Sequence, residues 1–339
     1  MSENQITYVQ ALRDALAEEM RRDENVVLVG ECVPIGDCNF GVTTGLVNEF
    51  GPERVWDTPL AENTVIGLAL GGALTGLRPV PEIMIGDFIA YAMDMITNEV
   101  AKWRYLFGGN FKVPLTIRVG ACGASATVLT QPESRAGFGL AGQHSQSLEA
   151  WFIHVPGLKV VYPSTPHDGK GLLKTSIRDD NPILFFEHKG LYAMRGPVPE
   201  KEYTLPLEVA DVKREGEDVT IVAWAMMMHK ALAAAEQLEK EGINVEVIDP
   251  RTLYPLDKKT IFDSLKKTGR LIIVEEAPKT GGVGAEISAI VNEEAFDHLD
   301  APIRRVAAPH TPIPASYVLE NLWIPDVPDI IEAAKQTVS

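Results

Sequence analysis

Short apolar runs, each followed by a stretch with a helical period, recur along this chain, and that alternation constrains its fold more than any other feature. Residues 26–29 (VVLV), 80–85, 115–119, 158–162 and 183–187 are mostly apolar. Strands of this kind must be covered on both faces, as in a mainly parallel sheet whose crossovers are helices. Helices are predicted between them. Thr7 followed by Gln10 resembles a capping box, opening a helix with Leu12, Leu16 and Met20 on one stripe. A Gly/Ala-rich helix is predicted over 61–77, a long one over 87–107, a short one near 148–154 and another over 166–178. A second alternation begins at VTIVAW (219–224) and continues through a helix to Leu238, strands 245–248 and 271–274, a glycine-started helix, strand 303–306 and a closing helix over 327–337. Residues 189–206 (KGLYAMRGPVPEKEYTLP) have three prolines, mixed charge and no period, and read as a linker crossing the surface. The expected class is α/β, with two three-layer αβα domains, 1–188 and 207–339, around mainly parallel sheets.

At 339 residues the chain is long enough for two cores. A net charge of −16 argues against nucleic acid, whose phosphates it would repel, while permitting attraction to a basic partner. No apolar run reaches the length of a membrane span. The first twenty residues lack a basic region followed by an apolar one, so no secretory signal and a cytoplasmic location are expected. Cys32, Cys38 and Cys122 have no metal-site spacing and read as reduced thiols.

Several motifs admit a chemical and a plain structural reading. Gly281-Gly282-Val283-Gly284 sits between a strand and a helix but lacks dinucleotide-binding spacing, so it reads as a tight turn that packs the helix on its sheet. Gly67, Gly71, Gly72 and Gly76 cost about 1 kcal/mol each relative to alanine in a helix interior. Close approach of another helix would offset that, within the domain or at a subunit interface. Glu62 in TPLAE opens the same predicted helix, where a carboxylate complements the helix dipole. His144 follows the glycine-spaced loop AGFGLAG. It reads either as a surface histidine or as one exposed to a cleft and still positioned. The turn KTSIRDDNP (174–182) offers oxygen ligands for a hard cation, or simply stops a helix.

Taken together, TPLAE, QHSQSLEA, PGLKVVYPSTP and EVIDPRTLYPLD resemble the β subunit of the thiamine-diphosphate-dependent 2-oxoacid dehydrogenases, the E1 component of pyruvate, branched-chain and acetoin dehydrogenase complexes. The resemblance covers essentially the whole chain and implies a pyrimidine-binding domain followed by a transketolase-type C-terminal domain. It implies that Glu62 faces N1′ of the aminopyrimidine, favouring the 4′-imino tautomer that takes the thiazolium C2 proton. Phe88, Met84 and Leu60 would pack on that ring, with ordinary core packing as the alternative for Met84 and Leu60. His144 would be catalytic, with Gln143 and Ser145 as candidates to orient it. A structural potassium ion would sit among Leu115, Ser176, Ile177, Asp179 and Asn181. The family's paired glycines lie where subunits meet.

Thiamine enzymes hold the diphosphate through Mg²⁺ on a GDG motif. This chain has Gly36-Asp37-Cys38 and Gly86-Asp87-Phe88, but no GDG. The resemblance therefore implies half an active site, completed by an E1 α subunit in an α2β2 heterotetramer with a second β subunit. The substrate would be a 2-oxoacid such as pyruvate, or acetoin, and the acyl unit would pass to a lipoyl-E2. The alternatives are the C-terminal half of a split transketolase and a non-catalytic scaffold subunit. One departure concerns residues 119–143, longer than the corresponding loop of typical members, which bears on the substrate entrance.

Overall fold

The computed structural model describes residues 3–35, 40–124 and 140–339. Gly36, Asp37, Cys38 and most of the extended segment 119–143 lie outside them. Strand β1 (Glu3–Thr7) leads into α1 (Tyr8–Arg22), β2 (Val26–Gly30), α2 (Leu46–Phe50), β3 (Val55–Asp57), α3 (Glu62–Leu74), β4 (Arg78–Ile83), α4 (Trp103–Leu106) and β5 (Thr116–Cys122). Then come α5 (Glu149–Ile153), β6 (Lys159–Val161), α6 (Pro166–Arg178), β7 (Ile183–His188), β8 (Arg195–Pro199) and β9 (Asp211–Arg214). The chain continues through β10 (Val219–Ala223), α7 (Ala225–Glu239), β11 (Val245–Asp249), β12 (Thr252–Tyr254), α8 (Lys258–Thr268) and β13 (Leu271–Pro278). It closes with α9 (Val283–Glu294), β14 (Arg304–Ala308), α10 (Tyr317–Trp323) and α11 (Val327–Val338).

Two mainly parallel sheets form. The larger has the order β12-β6-β7-β5-β4-β2-β3, the smaller β14-β13-β10-β11-β9. Only the edge strands β12 and β9 run antiparallel within them. Strands β2, β5, β7, β10 and β11 are buried along their whole length, as strands covered on both faces must be, and the polar residues among them, such as Arg118, are buried too. The α/β expectation thus holds, and its cause is visible strand by strand.

A buried charged ladder ties the middle of the larger sheet together. Arg118 of β5 donates to Glu82 of β4, and its Nε and Nη2 lie 2.7 and 2.8 Å from the Glu187 carboxylate of β7. Tyr192 adds a bond of 2.9 Å to Glu187 and accepts the Ala121 N–H at 3.0 Å. A buried guanidinium is tolerated only when paired and hydrogen-bonded, as here. The ladder fixes β4, β5 and β7 relative to one another just below their C-terminal ends, where ligands bind in open α/β sheets.

Three local expectations are corrected. The single helix over 87–107 is instead a 3₁₀ segment (Gly86–Ala92), a π segment (Met95–Val100) and the short α4. The helix begun at Glu62 ends at Leu74, so Gly76 is not helical; it takes φ +108°, a turn conformation glycine tolerates. Residues 189–206 do more than cross the surface: Lys189, Gly190 and Leu191 are buried, and β8 pairs with β1. The turn reading of Gly282 and Gly284 holds: a Cβ at either would lie 2.5–2.7 Å from the Glu275 side chain, so only glycine lets α9 start so close to β13.

Candidate active site

Glu62 occupies the first turn of α3 after Ala61. There its carboxylate complements unpaired N–H groups and the positive end of the helix dipole. The adjoining 3₁₀ segment after β4 brings Phe88 and Tyr91 alongside. Leu60, Glu62, Phe88 and Tyr91 line one open depression of about 530 Å³. Leu60 is 78% exposed and Tyr91 72%, too much for core residues of a finished surface. Met84, half-buried just after β4, is not among the residues that line the depression.

A second carboxyl, not singled out from the sequence, stands behind Glu62. Glu31, at the end of β2, is buried; burial and the negative charge of Glu62 push its pKa up, opposed by the Ala61 backbone N–H it accepts. Its only sequence signal is an acidic residue directly after a buried strand.

His144 sits more than fifty residues from Phe88 in the chain but against it in space. The two rings meet edge-on with centroids 5.2 Å apart, and Phe88 also neighbours Tyr91 at 6.4 Å. The imidazole thus stands against a residue, Phe88, that lines the same depression as Glu62. Ser145 turns inward, where its hydroxyl lies 3.4 Å from the Lys189 ammonium, and Gln143 stays exposed. Behind that loop, Glu149 is buried at the start of α5 and accepts from Trp224 Nε1 at 3.3 Å. Burial raises its pKa to about 7.

The residues expected around potassium also come together. The Ile177 and Asp179 carbonyls each accept from Arg78 Nη1 at 3.0 Å. Leu115 and Ser176 carbonyls accept the N–H groups of Ile183 at 2.9 Å and Asp179 at 3.2 Å. The Asn181 side-chain oxygen accepts from Arg104 at 2.5 Å. A carbonyl oxygen has two lone pairs, so these groups retain acceptor capacity, but three of them already face an arginine, Ile177 and Asp179 facing Arg78 and Asn181 facing Arg104.

Comparison with known proteins places the chain first in a class and then in a family. Residues 4–195 match the transketolase pyrimidine binding domain, and residues 208–330 the transketolase C-terminal domain. A solved split-gene transketolase, described as an inactive β4 tetramer, superposes with a TM-score of 0.79 at 22% identity over 99% of both chains, a likeness of fold. The β subunit of acetoin:2,6-dichlorophenolindophenol oxidoreductase from Bacillus subtilis (strain 168) is 47% identical, over 96% of this chain and 95% of its own length. The pyruvate dehydrogenase E1 component β subunit of the same organism is 46% identical over 98% and 99%, and its 2-oxoisovalerate dehydrogenase β subunit 43% over 98% of each. The chain belongs to the family of transketolase-like dehydrogenase E1 β subunits, and its enzyme class is oxidoreductase.

Proposed function

We propose that this chain is the β half of a thiamine-diphosphate-dependent E1 acting on a 2-oxoacid such as pyruvate, or on acetoin. The observation that carries the reading is one depression lined by a carboxylate at a helix start, Leu60 and the aromatic Phe88 and Tyr91, with an imidazole packed against Phe88. Those groups fit the planar, partly basic aminopyrimidine half of the cofactor. Phe88 and Leu60 would bury its faces, with Met84 beside them, and Glu62 would hold a proton at N1′. Thiamine diphosphate, when bound, would supply a nucleophilic thiazolium carbon. This chain contributes the carboxylate that controls the tautomer and the imidazole that delivers a proton when the acyl unit leaves for a lipoyl group.

The diphosphate and its Mg²⁺ are assigned to an α subunit, because this sequence has no GDG motif. The functional particle is then an α2β2 heterotetramer that serves a lipoyl-E2. Gly71 is the position assigned to a partner's close approach, and a Cβ there would meet nothing of this chain within 4 Å. Titration calorimetry tests the half-site directly. The chain alone should bind thiamine diphosphate and Mg²⁺ weakly or not at all, and the coexpressed α–β complex should bind them tightly. Tight, magnesium-dependent binding to the chain alone would overturn this assignment.

The potassium site at Leu115, Ser176, Ile177, Asp179 and Asn181 is a separate proposal, in which the ion shares the Ile177 and Asp179 carbonyls with Arg78. It requires a melting temperature higher in KCl than in NaCl at equal ionic strength. Equal values would leave Arg78 as the cation serving those carbonyls.

A further inference from the structure

The loop that carries His144 is held by its backbone, from the ends of three different strands. Lys189, in the 3₁₀ turn directly after β7, is 3% exposed and directs its ammonium at the His144 carbonyl oxygen. Asp87, just after β4, accepts the Gln146 N–H at 3.2 Å and its side-chain amide at 2.8 Å. Gly123, just after β5, donates its N–H to the Gln146 carbonyl at 3.2 Å. These strands are the ones that the Arg118 ladder locks together. The clamp therefore has a rigid base.

The lysine is the costly member. Both hydrogen bonds it makes to the loop go to neutral oxygens, a carbonyl and a hydroxyl. Burial pushes its pKa down, and the negative charges of Glu276 and Asp87 oppose that shift. An apolar side chain of similar length would fill the same space without the desolvation penalty. What it would not do is hold the carbonyl of the histidine itself. Charge-assisted bonds are the short, strong ones, suited to fixing one peptide group where loops are otherwise mobile.

We propose that Lys189, assisted by Asp87, is a positioning residue for His144: its ammonium fixes the histidine's own carbonyl and so sets where the imidazole stands against Phe88. The inference rests on the reading of His144 as the group that delivers a proton during acyl transfer. Neither Lys189 nor Asp87 touches the reacting atoms in this account. Each acts through the histidine.

The experiment uses the assembled α–β complex and four variants, Lys189→Met, Asp87→Asn, His144→Ala and the double variant Lys189→Met/His144→Ala. Two readouts are taken: amide hydrogen exchange of the peptide spanning 140–150, and the rate of acyl transfer to a lipoyl group. Misplacement of a reacting group by about 1 Å costs on the order of 10²-fold. Lys189→Met should speed exchange in 140–150 and leave the Arg118 strands protected. It should lower kcat for acyl transfer by roughly 10- to 100-fold, with little change in KM. In the His144→Ala background the same substitution should cost nothing further, since the group it positions is already gone.

A Lys189→Met loss of equal size in that background would overturn the proposal, as would unchanged exchange in 140–150. A His144→Ala variant with normal acyl transfer would sink the underlying reading instead, and is recognised without any Lys189 variant. Should Lys189→Met fail to assemble, Asp87→Asn carries the same pair of measurements. It keeps an acceptor for the Gln146 N–H but loses the charge, so a smaller loss, again absent without His144, is expected. An additive loss there would refute the clamp.

Discussion

Glu149 offers a prediction whose size follows from the structure. Its carboxyl is buried at the junction of the two sheets, with one oxygen on Trp224 and the other lacking a partner among the described residues. Burial, with a further contribution from the charge of Glu276, raises its pKa from 4.5 to about 7. A carboxyl whose pKa is raised by folding binds its proton more tightly in the native state. Stability is then greatest below the unfolded value and declines as pH rises from about 4.5 to about 7. At about 1.4 kcal/mol per unit, the full cost above pH 7 is roughly 3 kcal/mol. Glutamine copies the neutral acid in shape and still accepts from Trp224. Glu149→Gln should therefore match the parent near pH 4.5 and exceed it in stability at pH 8. For a chain of this size, a melting temperature roughly 3–6 °C higher at pH 8 is expected. Glu275, likewise raised to about 7 by burial and repelled by Glu149, should ionise more readily in the variant and add to the gain. The assay is circular dichroism melting from pH 5 to pH 8. Parallel curves for variant and parent across that range would refute the reasoning, because they would mean Glu149 folds ionised at no cost.

Other substitutions test the site piece by piece. Glu62→Ala in the α–β complex should keep much of the cofactor affinity while nearly abolishing exchange of the thiazolium C2 proton, followed by NMR in deuterated buffer; parent-like exchange would remove Glu62 from N1′. His144→Ala should reduce acyl transfer to lipoyl by about 10²–10⁴-fold, the usual worth of general acid help, and reduce activity with an artificial electron acceptor less; equal losses would assign the imidazole to substrate binding. Gly71→Leu should disturb assembly, read by sedimentation, while the isolated chain keeps its melting temperature. Gly67→Leu should instead destabilise the chain itself, because a Cβ there meets Met95 at 2.9 Å.

What could be read from the sequence follows the range of the interactions involved. The bounds of α6 are legible because their causes are local. Thr165 accepts the Asp168 N–H, Pro166 opens the helix, and Asp179 ends it in an extended conformation. Glu62, Phe88 and His144 stand out through the wording of their segments, and the fold sets Phe88 in one depression with Glu62 and against His144. Lys189 and Asp87 were not found, because their partners lie 45 and 59 residues away and a lysine in a proline-rich stretch looks like solvent-facing charge. The segment 87–107 has apolar spacing that a helix would use. It folds as 3₁₀, π and α pieces because neighbours remote in sequence, Met95 against Gly67 among them, set its path.

The strand β12 carries a consequence for how this chain can be divided. It belongs in sequence to the second alternation, between β11 and α8, yet it pairs with β6 and completes the edge of the larger sheet. Asp168 at the start of α6 adds side-chain ties at the same seam, accepting from Arg251 and Lys213 at 2.6 Å each. A cut in the stretch before β9 would strip β6 of its outer neighbour and leave Val160 and Val161 on a bare edge, ready to recruit another chain. The two halves are therefore stitched, not merely tethered. Recombination or truncation at that proline-rich stretch should give sticky, insoluble fragments, and a break placed after Tyr254 would keep the stitch only by parting β10 from β13 in the smaller sheet.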